Sequence, residues 1–338
     1  MMPETLAVRT LSPPHWLALL LLGAVASCGA GPSSSPKEAP LTLERTIPLA
    51  GVAGRIDHMV LDREGQRLFV AELGNNTVEA VDLKAGRGGA RISGQSEPQG
   101  LAWLPAQHAL VVASGDGRVG FYAGDGLTLV GELKIGDDAD NLRVDATGRP
   151  VLGYGAGALA VLDPVRRTVV ATVRLPAHPE AFSLDGARAY VNVPDAAHIV
   201  AVDLTTGAQI AAWPTPGARF NFPMALDHRV LAVVFRLPAR LRLLDPATGR
   251  TLLDTAACGD ADDLFFDPPR RRLYVICGSG GIDVFQATGA SDYRRTAHIV
   301  TRPGARTGLF AAQDDRLYVA ARATGGQPAA ILVYRPAN

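Results

Sequence analysis

Two short acidic segments in this 338-residue chain have the spacing of a carboxylate site. Each segment has the sequence Asp-Ala-Asp followed by a further polar residue. The polar residues are Asp138, Asp140 and Asn141 in the first segment, and Asp260, Asp262 and Asp263 in the second. Because alternate residues of a strand share one face, we expect both acids of each pair to point the same way. Clustered carboxylates bind Ca²⁺, Mg²⁺ or Mn²⁺, and crowding that raises the pKa of one acid suits general acid–base catalysis.

Other polar residues at comparable positions widen this set. The predicted ligand-binding residues are Arg55, Asp57, His58, Glu97, Gln99, Asp138, Asp140, Asn141, His178, Glu180, Arg219, Asn221, Asp260, Asp262, Asp263 and Arg306. The candidate metal ligands among them are His58, Asp140, His178, Glu180 and Asp262, a mixture of imidazole and carboxylate that suits Zn²⁺, Cu²⁺ or Fe²⁺. The alternative is that the acids are paired with Arg55, Arg219 and Arg306 and bond backbone N–H groups at strand starts.

A repeat of about 40 residues determines where these polar groups lie. Each copy reads as an apolar strand, a turn, a second strand of the type Leu-Phe/Tyr-Val, and a third strand that ends in Val-Asp-Leu or Leu-Asp-Pro. Equivalent positions are separated by 42, 41, 40, 42, 40 and 44 residues and are occupied by Asp57, Gln99, Asp140, Glu180, Phe222, Asp262 and Arg306. Four short strands at this period are typical of a propeller blade. The sequence therefore predicts an all-β fold, a seven-bladed β-propeller.

The seventh copy lacks a fourth strand, because its third strand ends near Tyr334. Residues 41–48 have a strand pattern, so we expect this N-terminal strand to complete the last blade and close the ring. Aspartates that recur at third-strand ends, such as Asp82 and Asp163, are expected to cap turns. Polar residues that differ between blades gather instead at one end of the central channel, called here the funnel. Such residues can bind an asymmetric ligand.

The N-terminal segment predicts export. Residues 16–26 form an apolar run after Arg9, too short for a comfortable membrane span and of the length found in signal peptides. The run ends in Val25-Ala26-Ser27-Cys28, which resembles the bacterial lipobox. The resemblance implies a signal peptide at 1–27 and lipidation of Cys28. The Gly-, Ser- and Pro-rich composition that follows indicates a flexible tether at 28–40, and the repeat predicts a propeller at 41–338. The alternative is an ordinary secretory signal in which Cys28 is incidental.

Two further cysteines, Cys258 and Cys277, lie near the inner and second strands of the sixth copy. An exported compartment permits disulfides. The two residues therefore form either a disulfide bridge or a pair of reduced thiols, and the sequence leaves both open.

Three segments resemble the YVTN-type repeats of seven-bladed β-propellers: Leu68-Phe69-Val70-Ala71, Asn75-Asn76-Thr77-Val78 and Leu273-Tyr274-Val275. The resemblance extends over about residues 41–335 and implies the fold, frequent export and no particular activity. Related propellers include nitrous-oxide reductase, whose copper centre uses many His, and six-bladed lactonases, which hold one divalent metal through Glu, Asn and Asp. Only His58 and His178 occupy comparable places here, and seven repeats differ from six, so neither set of roles transfers.

Together these features predict an envelope-anchored binding or scaffolding protein, whose acidic funnel recognises a small ligand, a cation or an envelope protein. The alternative is a metal-dependent hydrolase or lactonase with its site in the same funnel, and a divalent metal ion is the one cofactor suggested. A formal net charge of zero disfavours nucleic-acid binding. Because Gly29 rather than Asp follows Cys28, we expect the lipid anchor to hold the protein at the periplasmic face of the outer membrane.

The lipid anchor can be tested by replacing its acceptor sulfur. We expect Cys28→Ser to release the protein from the membrane fraction and to change its processing, since two or three acyl chains hold a protein firmly on a bilayer. Fractionation of producing cells and the mass of the mature N-terminus measure both effects, with Ser34→Ala as the control. Unchanged membrane association and processing of Cys28→Ser would contradict the prediction.

Overall fold

Seven four-stranded antiparallel sheets form the blades of a β-propeller in this computed structural model. The structure describes residues 39–227 and 229–338. The predicted signal peptide, Cys28 and nearly all of the predicted tether lie outside the described residues. Among the described residues, no helix has the length and apolar character needed to cross a membrane. The all-β, seven-bladed fold predicted from the repeat is confirmed.

Six blades consist of four consecutive strands, and the first strand of each lies at the channel. Blade one contains β2 (Met59–Asp62), β3 (Arg67–Glu72), β4 (Thr77–Asp82) and β5 (Arg87–Ile92). Blade two contains β6 (Pro98–Leu104), β7 (Ala109–Ser114), β8 (Arg118–Ala123) and β9 (Thr128–Lys134). Blade three contains β10 (Ala139–Val144), β11 (Pro150–Tyr154), β12 (Ala158–Asp163) and β13 (Thr168–Arg174). Blade four contains β14 (Phe182–Asp185), β15 (Arg188–Val193), β16 (His198–Asp203) and β17 (Gln209–Pro214). Blade five contains β18 (Arg219–Asp227), β19 (Val230–Leu237), β20 (Ala239–Leu244) and β21 (Thr251–Ala256). Blade six contains β22 (Ala261–Asp267), β23 (Arg272–Cys277), β24 (Gly281–Ala287) and β25 (Tyr293–Val300). Short 3₁₀ turns occupy Leu73–Asn75, Pro105–Gln107 and Pro194–Ala196.

The seventh blade joins the two ends of the propeller. It contains β26 (Gly308–Ala311), β27 (Arg316–Ala321), β28 (Ala330–Pro336) and, as its outer strand, β1 (Leu41–Pro48). β1 runs antiparallel to β28, with Leu41 opposite Pro336 and Ile47 opposite Ile331. The predicted closure of the ring by the N-terminal strand is confirmed. It covers the edge of β28 that would otherwise present unpaired backbone groups.

The hydrophobic core is divided into clusters between neighbouring blades. In β3, Leu68 packs in a cluster with Tyr318 of blade seven, whereas Phe69 packs in a cluster with Leu110 of blade two. Successive side chains of one strand therefore cover two different neighbours, as the period of two requires. Both faces of the second strands are buried, which explains their continuous apolar sequences.

Aspartates at the ends of third strands cap turns, as predicted. The backbone N–H of Ala85 donates to Asp82 Oδ1 over 2.7 Å, and that of Val165 donates to Asp163 Oδ1 over 2.9 Å. The equivalent bonds run from Thr205 to Asp203 and from Ala247 to Asp245. These aspartates belong to the scaffold.

The inner strands begin irregularly where they enter the funnel. Asp138 and Asp260 have left-handed φ values of 50° and 60° and immediately precede β10 and β22. The pairing register then shifts between Ala139 and Leu142, and between Ala261 and Asp263. The expectation that both acids of each Asp-Ala-Asp segment share one face of a regular strand is therefore wrong. The first acid lies before the strand, and the bulge redirects the residues that follow.

The closing strand contributes to stability through its buried side chains. We expect Ile47→Ala to lower the free energy of unfolding by about 2–5 kcal/mol, because Ile47 is 1% exposed within the core between blades one and seven. Leu43 lies in the same strand and is 50% exposed, so Leu43→Ala should change stability by less than about 0.5 kcal/mol. Urea denaturation measures both values, and equal effects of the two substitutions would contradict the closure described here.

Candidate functional site

Side chains from six blades converge in the funnel. The blades contribute, in order around the ring, Asp57 and His58; Asp140; Glu180; Arg236; Asp262 and Asp263; and Arg306. The charge of Arg55 is coupled electrostatically to Asp57, Asp262, Asp140 and Glu180, which belong to four different blades. Residues more than 200 positions apart in sequence therefore act in one electrostatic environment.

Two arginines of the funnel hold acids that the sequence analysis singled out. Arg55 Nη2 donates to Asp57 Oδ2 over 2.7 Å, and Asp57 is 1% exposed. Arg306 Nη2 lies 3.0 Å from Asp260 Oδ2, and its Nε lies 4.0 Å from Asp262 Oδ2. These acids are therefore paired with arginines, which the sequence analysis gave as the alternative to ligand binding.

Arg236 is a member of the funnel that the sequence analysis missed. It lies near the end of β19, where it donates to Asp262 Oδ1 and, over 2.9 Å, to the carbonyl oxygen of Ala261. Its guanidinium carbon also lies 4.0 Å from the centre of the Phe222 ring, the distance of a cation–π contact. The sequence feature that could have identified Arg236 is its place as a single cation directly after the apolar run Val230–Phe235.

His58 lies between two acids. Its Nε2 is 3.8 Å from Asp57 Oδ1, and its Nδ1 is 3.8 Å from Asp263 Oδ2. Burial alone would lower the pKa of His58, but the interaction with Asp263 and the charges of Asp57, Asp263 and Asp140 outweigh it and raise the pKa to about 10. The imidazole is therefore a cation at neutral pH, which makes it a poor metal ligand. Asp263 also accepts a bond of 2.8 Å from the Gly308 backbone N–H and so connects blades six and seven.

Asp140 and Glu180 are the acids left over after this pairing. Among the described residues, neither carboxylate takes part in a hydrogen bond or a close ion pair. Burial and the charge of Asp57 raise the pKa of Asp140 to about 6, and burial with the charges of Asp140 and Asp262 raises the pKa of Glu180 to about 9. Both side chains hold protons more tightly than free carboxylic acids do.

Asp262 resembles Asp140 and Glu180 in having an oxygen without a hydrogen-bond partner in the described part of the chain and a raised pKa. Its Oδ2 is buried and has no hydrogen-bond partner among the described residues, although Oδ1 is bound by Arg236. Burial raises its pKa to about 7 against the opposing effect of Arg236. The funnel thus contains three carboxyl groups with unused acceptor capacity, Asp140, Glu180 and Asp262.

A mainly apolar channel of about 410 Å³ adjoins the funnel at His58 and Asp263, whereas Asp140, Glu180 and Asp262 do not line it. His58, Arg143, Ser183 and Asp263 supply the polar side chains of its wall. Inner strands also supply apolar side chains such as Leu101. Arg143 was also missed by the sequence analysis. Its burial lowers its pKa, while Asp263 and Asp140 act in the opposite direction.

The remaining predicted residues lie around the funnel with different roles. Three of them form a group on the rim. Gln99 donates a hydrogen bond of 3.2 Å to Asp138, and the Asp138 carboxylate lies 3.7 Å from His178 Nδ1. Asn221 is buried and donates to Asn192 Oδ1 over 2.9 Å, so it joins blades four and five. Three predicted residues stand outside the converging set: Asn141, which is buried, and Glu97 and Arg219, which are exposed.

The five candidate metal ligands do not form a compact ligand group. Within residues 39–227 and 229–338, the one set of three His, Cys, Asp or Glu ligand atoms within 4.8 Å of each other comes from Cys258, Asp283 and His298. These residues lie in blade six and in the segment leading into it, away from the five candidates. Cys258 and Cys277 form a disulfide, the first of the two alternatives left open by the sequence.

Comparison with known proteins extends only to the fold. No protein-family model matches the chain, and no curated protein matches it. A chain of Kuenenia stuttgartiensis hydrazine synthase is similar to it with a TM-score of 0.72 and 16% identity, covering 86% of this chain and 99% of that one. A chain in a crystal structure of the mitotic checkpoint complex has a TM-score of 0.73 and 14% identity, covering 95% and 100%. At these identities the likeness shows the propeller fold alone.

The unpaired carboxyl group of Glu180 should destabilise the folded protein as pH rises. Its pKa rises from 4.5 to about 9 on folding, so its contribution to stability is present below pH 4.5 and is lost as pH increases through about 9. Gln has no proton to lose. We therefore expect Glu180→Gln to increase the free energy of unfolding relative to the wild type, by up to about 1.4 kcal/mol for each pH unit within this window.

Asp163 provides a control of opposite sign. It is a partly exposed turn cap whose pKa is lowered by the backbone N–H groups of Arg166 and Val165, so Asp163→Asn should reduce stability at neutral pH. Denaturant titrations from pH 5 to pH 9 measure both variants. A stability difference between Glu180→Gln and wild type that does not depend on pH would overturn the assignment of a raised pKa.

Proposed function

We propose that this chain is an envelope-tethered propeller that binds a small organic cation in its funnel, with the apolar part of the ligand in the channel. The observation that carries the proposal is the state of Asp140 and Glu180. Both face a site filled with arginine-bound acids, yet neither has an arginine of its own among the described residues. A bound ammonium or guanidinium group would supply the missing charge.

The electrostatics of the funnel favour a cation that arrives from outside. Asp140 and Glu180 have raised pKa values because burial and neighbouring acids disfavour their ionised forms. A cation placed between them reverses this effect, so binding is coupled to the release of protons. Each carboxylate can accept charge-assisted hydrogen bonds from an ammonium or guanidinium group, which are about twice as strong as neutral ones.

The paired acids give the funnel its shape. Arg55 fixes Asp57, and Arg236 and Arg306 fix Asp260 and Asp262. Their charges are largely satisfied within the protein and are therefore not available to a ligand. Recognition is left to Asp140 and Glu180, the acids of blades three and four, and to Asp262 Oδ2, which accepts no hydrogen bond from the described residues.

The channel supplies the second half of the site. A volume of about 410 Å³ lies within the range of about 300–1,000 Å³ that is typical of ligand pockets. Its polar side chains are His58, Arg143, Ser183 and Asp263, and its other side chains are apolar. A ligand with a cationic head and an apolar body matches this division, whereas a bare metal ion would leave the channel unused.

The sequence of the N-terminal segment supports tethering to the cell envelope. A lipid on Cys28 and a tether over residues 28–40 would hold the propeller at a membrane surface. We propose the periplasmic face of the outer membrane, because Gly follows the cysteine. An envelope protein that presents a Lys or Arg side chain would satisfy the same funnel chemistry as a free amine.

n-Hexylamine is a suitable probe, because it combines a primary ammonium with an apolar chain. We expect it to bind more tightly than n-hexanol and hexanoate, and its affinity should rise with pH from about 6 to about 9, as Asp140 and Glu180 lose their protons. A primary ammonium similar to that of Lys remains charged in this range, since it titrates near about pH 10.4. Calorimetry in two buffers of different ionisation enthalpy should show that binding releases protons.

Substitutions assign the binding to the funnel. Asp140→Asn and Glu180→Gln should each weaken n-hexylamine binding at pH 8 by about tenfold or more, the range expected for loss of a charge-assisted bond. Asp163→Asn removes a carboxylate from the outer turn of the same blade as Asp140 and should leave binding unchanged. The proposal is refuted if n-hexanol binds as tightly as the amine, or if the two funnel substitutions have no greater effect than Asp163→Asn.

A further inference from the structure

A second cluster of potential ligands lies between blades five and six, outside the funnel. A sulfur, a carboxylate oxygen and an imidazole nitrogen from Cys258, Asp283 and His298 lie within 4.8 Å of one another. Cys258 follows β21 in the segment that leads into β22, Asp283 lies in β24 and His298 lies in β25. None of these residues belongs to the funnel.

Asp283 organises the cluster from a fully buried position. Its Oδ1 lies 2.7 Å from His298 Nδ1, and its Oδ2 accepts a bond of 2.8 Å from the Cys258 backbone N–H. Arg295 also donates to Oδ2, over 3.0 Å, but its side chain is 46% exposed. The arginine can therefore move into water, whereas the aspartate and the Cys258 backbone are held by the blade.

His298 lies over a strand position without a side chain. A Cβ placed on Gly281 would meet His298 Cε1 at 2.1 Å and Nε2 at 2.4 Å. Gly281 is paired with Cys277, so the glycine lets the imidazole lie across the strand next to the second cysteine. Any larger residue at position 281 would push the ring away.

Cys277 is the candidate for a fourth ligand, but its sulfur lies outside the group of atoms within 4.8 Å of one another and has to rotate toward them once the disulfide is broken. Its sulfur is bonded to that of Cys258, with the two Cα atoms 5.9 Å apart. Two cysteines, one histidine and one aspartate are the ligand types of a tetrahedral zinc site. The disulfide blocks this use, because the thiolate and not the disulfide sulfur is the metal ligand.

We propose that reduction of the Cys258–Cys277 disulfide opens a tetrahedral binding site for Zn²⁺ or a similar thiophilic divalent cation, formed by Cys258, Cys277, Asp283 and His298. The reductant is a dithiol, which passes two electrons and two protons to the disulfide and itself becomes a disulfide. The metal ion then displaces the two thiol protons to the solvent. Arg295 leaves Asp283 when the cation replaces it as the partner of the carboxylate.

The test uses Co²⁺ on the full chain carrying Cys28→Ser, in which Cys258 and Cys277 are the remaining cysteines. A phosphine reduces the disulfide without adding a competing thiol, taking its oxygen from water. We expect the reduced protein to bind one equivalent of Co²⁺ with the thiolate charge-transfer and tetrahedral ligand-field bands, and to lose them when Zn²⁺ is added. The oxidised protein should show neither band.

Variants distinguish the four-residue site from adventitious binding by two thiols. His298→Gln and Asp283→Asn should each weaken Co²⁺ binding about tenfold or more in the reduced protein. His108→Gln, which removes another His paired with an aspartate, should not. A reduced, folded protein without the tetrahedral spectrum overturns the proposal, and so does a spectrum that survives both ligand substitutions.

A second variant avoids dependence on the stability of the reduced protein. Cys277→Ser leaves Cys258 as a free thiol without any reductant, next to Asp283 and His298. We expect this variant to bind one Co²⁺ more weakly, with the charge-transfer intensity of a single thiolate. If Cys277→Ser is folded by circular dichroism and binds no Co²⁺, the proposal is wrong.

Discussion

Each blade of this propeller has two apolar faces, and neither face can remain in water. The strand β3 shows the constraint directly, since Leu68 faces blade seven and Phe69 faces blade two. A single sheet of this kind gains stability only when a neighbour covers each side, so the blades must continue until the last meets the first. The pairing of β1 with β28 fulfils that requirement. The central channel, and every side chain that points into it, exists because the ring is closed.

Closure also explains why charge can be concentrated in the funnel. The starts of seven inner strands are brought together by packing energy distributed over the whole ring, so a few unfavourable contacts between acids are tolerated. Three arginines and His58 neutralise most of these acids. Asp140 and Glu180 are left without such a partner among the described residues. An unpaired, largely buried carboxyl group lowers stability, and functional sites are where proteins commonly keep such groups.

The repeat was sufficient to predict the number of blades, the closing strand and the turn aspartates, because each depends on local pattern and on covering sheet faces. It also predicted that Asp57, Asp140, Glu180 and Asp262 would meet. The individual partners could not be predicted in this way. The pairing of Asp262 with Arg236 and the electrostatic effect of Asp263 and Asp140 on Arg143 depend on how side chains from different blades cross the channel, and no sequence period carries that information.

The irregular strand starts were beyond prediction for a related reason. The alternation rule assumes an unbroken strand, but Asp138 and Asp260 adopt left-handed backbone conformations and the strands after them are bulged. The proximity of Cys258 to Asp283 and His298 likewise depends on a connection between blades. Its geometry is set by the Cys258 N–H bond to Asp283, which pattern alone does not indicate.

The closing strand has a further consequence for association between molecules. β1 reaches β28 from the opposite end of the chain, so the β1 of one molecule has the same complementarity to the β28 of another. Closure within one chain is favoured because the strand is covalently attached, which gives it a high effective concentration near its own partner. When molecules refold in a crowded solution, reciprocal exchange of β1 would produce domain-swapped dimers in which all seven blades are complete.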